Sequence, residues 1–230
     1  MLPRKKLVID YREQVASFDV DAQNCFSPFC PDELPVSDAP LIVPELNANA
    51  LLASLRLGSK DAHSPDAVWI ATADAPMLSP VEGDNVDVRW PKHAVPGTFG
   101  FELLAGLPKP TQYDYFVWKG IEPDMHPYGA CYHDHAGHLS TGAIEFLKKQ
   151  AITTVIVGGL ATDYCVKITV LDLLGADFKV ILNRAACRGI TEETTRLALE
   201  EMQGKGAKII KNAACLVNKE RTVVLLGDIA

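Results

Sequence analysis

The chemistry-bearing residues of this chain are a cysteine, two aspartates, a lysine and a set of histidines, and the cysteine has the most informative setting. The segment Thr153-Thr154-Val155-Ile156-Val157-Gly158-Gly159-Leu160-Ala161-Thr162-Asp163-Tyr164-Cys165-Val166 reads as a buried strand of β-branched residues, a tight glycine turn, and a helix that opens at the cysteine. Thr162 or Asp163 is placed to cap that helix, which continues through Val166, Ile168, Val170, Leu171 and Leu174. A thiol in the first helical turn meets the positive end of the dipole, which lowers its pKa and favours the nucleophilic thiolate. The competing reading of a lone cysteine is a buried, inert thiol.

Three further positions can join it. Asp21 follows the apolar run 15–20 and is either a base at a strand end or a solvated turn residue. Lys119 stands directly behind Tyr115-Phe116-Val117-Trp118; unless it is exposed, a lysine there needs an anionic partner. Asp61 and His63, two apart on an extended chain, point to the same side and can ligate one ion, with His93 brought in by a later loop. Four of the six histidines, His126, His133, His135 and His138, crowd one further stretch. They are a rival metal locus or simply part of a polar, mobile loop.

The elements that must position these residues follow from periodicity. A strand is expected at 15–20, a proline-rich loop at 26–44, and a helix over 43–57 closed by Gly58. Residues 67–71 read as an apolar strand or short helix, and 76–92 as a loop. A strand at 115–118 precedes an amphipathic helix over 139–150 capped by Ser140 or Thr141. Strands at 179–182 and 207–210 flank a helix over 191–204. Strands alternating with helices at this spacing predict an α/β fold with a parallel sheet, whose sites lie beyond the C-terminal strand ends. Asp21, Asp61 with His63, Lys119 and Cys165 each fall just after a different strand, so they converge on one rim.

The whole chain narrows the classes. At 230 residues it is one large domain or two small ones, 48% hydrophobic and 22% charged, with a net charge of −7. That acidity argues against nucleic acid or an anionic membrane as partner. No apolar run approaches a membrane span, and Leu7, Val8 and Ile9 are too few for a signal peptide, so a cytoplasmic protein is expected. Cys25, Cys30, Cys131, Cys165, Cys187 and Cys215 have no repeated spacing, which favours reduced thiols over a disulfide-stabilised secreted domain.

Four motifs, and a fifth segment at Lys119, resemble those of the isochorismatase-like cysteine hydrolases, and within them the nicotinamidase (pyrazinamidase) branch. Asp21-Ala22-Gln23-Asn24-Cys25-Phe26 is similar to D-x-Q-N-D-F, and Asp61-Ala62-His63 to the metal motif D-x-H. Trp90-Pro91-Lys92-His93-Ala94-Val95-Pro96-Gly97-Thr98 resembles W-P-x-H-C-V-x-G-T, and Gly159-Leu160-Ala161-Thr162-Asp163-Tyr164-Cys165-Val166 resembles G-x-A-T-D-x-C-V. Lys119-Gly120 with Asp124 and Tyr128 is similar to a K-G-x-x-P-D segment, and the match spans 15–215.

The resemblance implies a single domain over 1–230 with a three-layer α/β/α fold and a central, mostly parallel sheet of about six strands. It implies a triad of Cys165, Asp21 and Lys119 that hydrolyses nicotinamide to nicotinate and ammonia through a thioester, in NAD salvage. The backbone N–H groups of Ala161 and Cys165 would form an oxyanion hole, beside a cis peptide between Leu160 and Ala161. Asp61, His63 and His93 would hold one divalent metal per chain, zinc first and iron or manganese otherwise, that positions the pyridine ring. Phe26, Trp90, Tyr128, Leu160 and Tyr164 would bind the substrate. The implied partners are a small amide substrate and further copies of the chain in a homo-oligomer.

Departures from the pattern set further expectations. Cys25 and Ala94 replace an aspartate and a cysteine outside the triad, and Gly129 and Cys131 replace serine and phenylalanine near the pocket. No second histidine comes soon after Asp61-Ala62-His63, where the chain reads Ser64-Pro65-Asp66-Ala67-Val68-Trp69, so a three-residue metal site completed by waters is expected. The alternatives are a related hydrolase acting on another small amide or carbamoyl compound, and a non-catalytic binding protein on the same fold.

Overall fold

Short apolar strands alternate with helices through most of the chain in the computed structural model, which describes residues 6–220. In order these are β1 (Leu7–Ile9), β2 (Val15–Val20), α1 (Val43–Leu51), β3 (Leu55–Asp61), β4 (Tyr115–Lys119) and α2 (Ala143–Lys149). They continue with β5 (Thr154–Leu160), α3 (Lys167–Gly175), β6 (Lys179–Arg188), α4 (Glu192–Gly204), β7 (Lys208–Ile210) and β8 (Leu216–Asn218). Six strands form one parallel sheet in the order β4-β3-β2-β5-β6-β7, and β1 pairs in parallel with β8 in a separate ribbon.

The central strand β5 is buried at every residue. Its alternation feeds two cores: Val155 and Val157 pack with Leu147, Val170 and Leu173 on the face covered by α2, α3 and α4. Ile156 joins Val15 and Ile181 on the opposite face, and Leu46 of α1 packs there with Leu160 and Ala186. This is the three-layer α/β/α arrangement. Each fully buried aliphatic side chain in these layers stabilises the fold by roughly 1.5–3 kcal/mol. No helix of the described residues is long and apolar enough to cross a membrane.

Several boundaries differ from those read in the sequence. The helix expected over 43–57 stops at Leu51, and Leu55 and Leu57 belong to β3, paired with Ala16 and Phe18. These leucines fit either period, and a free strand edge on β2 decides between them. Residues 67–71 are turns with one isolated bridge from Ile70 to Trp90, not a regular element. The helix at 139–150 begins only at Ala143 with Gly142 before it, because Ser140 is held in a bridge to Tyr132. The strand expected at 179–182 runs on to Arg188.

The glycine pair does not form the tight turn that the sequence suggests. β5 continues through Gly158 and Gly159 to Leu160, with a register shift between Val157 and Gly159 against β6. Gly159 has φ +140°, and a Cβ there would lie 2.0 Å from the Val20 carbonyl oxygen. The glycine therefore permits close strand approach at the end of β2, immediately before Asp21.

Candidate active site

The C-terminal ends of β2, β3, β4 and β5 deliver the chemistry to one rim. Asp21 follows β2 with φ 44°, a left-handed conformation that turns the chain sharply out of the sheet. Its backbone N–H donates to Ser59 Oγ at 3.2 Å, and the Ser59 hydroxyl donates to Asp21 Oδ1 at 2.7 Å. Lys119 ends β4 with its side chain wholly buried. Its ammonium lies 3.0 Å from Asp21 Oδ2, hydrogen-bonds Asp61 Oδ1 tightly, and donates to the Pro127 carbonyl at 3.1 Å. The same nitrogen is 3.7 Å from Cys165 Sγ. The anionic partners that a buried lysine requires are thus Asp21 and Asp61.

Cys165 lies in a five-residue π-helical turn, Thr162–Val166, that leads into α3. Ala161 stands before that turn and neither Thr162 nor Asp163 caps it; the Leu160–Ala161 peptide is cis. The Asp163 carboxylate instead accepts from the Ile190 N–H at 3.1 Å and from the Thr194 hydroxyl, tying the turn that carries Cys165 to the start of α4.

Electrostatics correct one expectation. Burial pushes the Cys165 thiol well above its ordinary range, opposed by Lys119 and reinforced by Asp61 and Asp21. The resting group is a neutral thiol and not a pre-formed thiolate, because loss of solvent outweighs one ammonium shared with two carboxylates. Burial also raises Asp21 to about 6, against the pull of Lys119. Lys119 itself stays charged, since the two carboxylates overcome its desolvation.

Asp61 joins this group to a second one. Gln23 fixes the end of β3 by donating to the Asp61 carbonyl at 2.9 Å and accepting from its N–H at 2.7 Å. While Oδ1 faces Lys119, Oδ2 lies 3.6 Å from His63 Nε2 and 4.0 Å from His93 Nε2. The Nδ1 atoms of these histidines bond the carbonyls of Gly120 at 3.0 Å and Pro91 at 2.7 Å. Those bonds fix the tautomer with the proton on Nδ1, leaving both Nε2 lone pairs directed at a common point. Gly120 has φ +75°, and a Cβ there would strike the His63 ring at 2.5 Å. Burial drives His93 down to about 3 and His126 well below its usual range, so both are neutral, as metal ligation requires.

The structure splits the cluster of four loop histidines. His126 is buried, and its ring nitrogens form with those of His63 and His93 a group whose candidate donor atoms lie within 4.8 Å of one another. His133, His135 and His138 are in no such group among the described residues. His135 Nε2 bonds the His126 carbonyl at 2.9 Å, and the backbone N–H groups of His133 and His138 hold the loop. The other metal-like constellation, Asp21 with Asp61 and Cys165, already has the Lys119 ammonium at its centre.

Beside these groups a cavity is lined by Phe26, Trp90, Tyr128, Tyr164, Ala161 and Cys165. Trp90 and Tyr164 meet edge to face at 4.9 Å, and Trp90 Nε1 donates to the Tyr128 hydroxyl at 3.1 Å. Leu160 lies in the apolar cluster with Leu46 and Ala186 and does not line the cavity, because β5 still directs it inward. Leu34, His126 and Ile190 line it and were not singled out as pocket residues by the sequence. All six cysteines are free.

A buried thiol, carboxylate and ammonium thus meet at one rim of a parallel sheet. The chain belongs to the isochorismatase family, whose domain model matches residues 20–214. It is 30% identical over 202 residues to the nicotinamidase of Acinetobacter baylyi, covering 86% of this chain and 92% of that one. Among solved structures, a nicotinamidase pyrazinamidase of Acinetobacter baumanii superposes with a TM-score of 0.79 at 30% identity, over 88% of this chain and 97% of the other. The pyrazinamidase of Pyrococcus horikoshii in complex with zinc gives 0.67 at 29% identity, over 86% and 98%.

Proposed function

We propose that this protein is a nicotinamidase, which hydrolyses nicotinamide to nicotinate and ammonia in the manner of NAD salvage. The observation that carries the reading is the convergence of Asp21, Lys119 and Cys165 at the ends of β2 and β4 and in the turn after β5.

Asp21 Oδ1 is held by Ser59, and its other oxygen faces Lys119. Asp21 takes the proton of the Cys165 thiol as Sγ bonds the carboxamide carbon. The N–H groups of Ala161 and Cys165 receive the developing oxyanion. As the C–N bond breaks, Asp21 passes its proton to the departing ammonia, leaving a thioester. Asp21 then draws a proton from water as the hydroxyl adds to the thioester carbon; the S–C bond breaks to release the acid, and Asp21 returns that proton to the departing sulfur, restoring the thiol and its own carboxylate. Lys119 keeps Asp21 ionised between steps and stabilises the sulfur as negative charge builds on it.

Asp61, His63 and His93 are suited to hold one divalent ion, since their donor set of two imidazoles and a carboxylate fits zinc and the neighbouring divalent metals. Such an ion supplies a Lewis-acid anchor for a lone pair of the substrate, such as a ring nitrogen. Phe26, Trp90, Tyr128 and Tyr164 give the ring its apolar walls. The resemblance to the family also supports a homo-oligomer, which light scattering on the purified protein would test.

An ammonia-release assay over a panel of small amides and carbamoyl compounds, with and without chelator, tests the reading. Turnover of nicotinamide that falls on chelation is expected, along with about one metal per chain. Turnover only of another compound, or full amidase activity in metal-free protein, would overturn it. Cys165→Ala should abolish ammonia release from a folded protein.

A further inference from the structure

The segment after β4 sends one side chain into the ion site that the triad does not use. His126 is 4% exposed, and neither of its ring nitrogens has a hydrogen-bond partner among the described residues. His63 Nε2, facing the same point, has none either. Leaving buried polar atoms unpaired costs about 1–3 kcal/mol each, so such a concentration calls for a partner of another kind. The ring stacks on His63 with centroids 4.9 Å apart, meets His93 at 5.9 Å, and is boxed by Trp69 at 4.4 Å and Tyr128 at 5.1 Å. Its main chain is pinned on both sides, the N–H to the Asn85 carbonyl at 2.8 Å and the carbonyl to His135.

We infer that His126 is a protein ligand of the metal ion, the third imidazole of a four-donor set with Asp61, His63 and His93. This rests on the reading of Asp61, His63 and His93 as an ion site and replaces the three-residue set completed by waters. Donors bound at about 2.0–2.1 Å stand ~3.4 Å apart around a tetrahedral ion. The Asp61–His63 and Asp61–His93 separations of 3.6 and 4.0 Å are near that value, and the candidate donor atoms of His63, His93 and His126 lie within 4.8 Å of one another. The fourth donor comes from the chain after β4, two residues before Tyr128, which walls the substrate cavity. Metal binding then also anchors that wall, coupling ion retention to pocket shape.

X-ray absorption of the zinc-loaded wild-type protein counts its imidazole ligands without any substitution; three are expected. Chelator competition should give a zinc affinity at least tenfold weaker for His126→Ala, and the visible spectrum of the cobalt form should change, while His138→Ala binds as wild type. Two imidazoles in the wild type, or an affinity for His126→Ala within twofold of wild type and an unchanged cobalt spectrum, would overturn the inference and leave the ion site standing. Wild-type protein that binds no ion would overturn both.

Discussion

At the scale of single residues, the site separates charge storage from attack. In the proposed mechanism Asp21 is the group whose protonation state governs the first step, and burial raises it to about 6 in spite of Lys119. A general base must be ionised, so kcat/KM for nicotinamide should rise with pH through about 6 and flatten above it. An acid limb centred well below pH 5 would count against Asp21 as the titrating group. Asp21→Asn should lower kcat by about 10²–10⁴-fold, the usual contribution of a positioned acid–base group, with circular dichroism unchanged. Lys119→Met removes the main influence that lowers the Asp21 pKa, so the acid limb of any residual activity should move to higher pH. A limb that stayed in place would assign Lys119 a steric role.

At the scale of elements, the sheet end is shaped by side chains that are missing. Gly159→Ala should destabilise the protein by roughly 3 kcal/mol or more, because the added methyl meets the Val20 carbonyl in a strand that cannot shift without moving Asp21. Gly175→Ala, with nothing within 4 Å of its added methyl at the end of α3, should be neutral or slightly stabilising. Urea melts of the two variants make the comparison. The same strand marks where the sequence was legible. The apolar run of β5, the Thr191 cap that accepts from the Thr194 N–H, and the strand ends carrying Asp21, Asp61 and Lys119 could be read from local pattern. A glycine that turns the chain and one that admits a neighbouring carbonyl look alike in sequence, and the difference lies in β2, far away along the chain. His126 was hidden for the same reason. It sits among other histidines in sequence, and only the path of the chain after β4 separates it from them. The thiol pKa was misjudged because the helix start is a local feature, whereas its burial is made by the whole rim.

At the scale of the molecule, the two rims of the sheet have different tasks. The C-terminal rim holds Asp21, Lys119 and Cys165; the N-terminal rim is tied by the ribbon of β1 and β8. There β1 pairs with β8, and Asp10 accepts from the hydroxyls of Thr153 and Thr154 at 2.9 and 2.8 Å where β5 begins. Lys179 at the start of β6 and Lys219 beyond β8 complete the cluster at 2.8 and 3.2 Å. Hydrogen bonds from these four groups, led by that of Lys179, hold the Asp10 carboxyl well below the usual carboxylate range. Asp10→Asn should therefore cost about 1–3 kcal/mol of stability at pH 7 and leave kcat/KM unchanged, since the cluster is at the opposite strand ends from Cys165. A carboxylate with a lowered folded-state pKa contributes its full stabilisation above the unfolded value, near 4, and loses it as the pH falls towards the folded value. The gap between the unfolding free energies of wild type and Asp10→Asn, measured in urea from pH 7 down to pH 3, should hold steady above about pH 5 and begin to narrow below the unfolded value, closing only towards the much lower folded value. A gap that did not narrow at all between pH 5 and pH 3 would assign the loss to packing instead of charge. A matching fall in kcat/KM at pH 7 would mean that the rim tied by β1 and β8 also sets the geometry of the opposite rim.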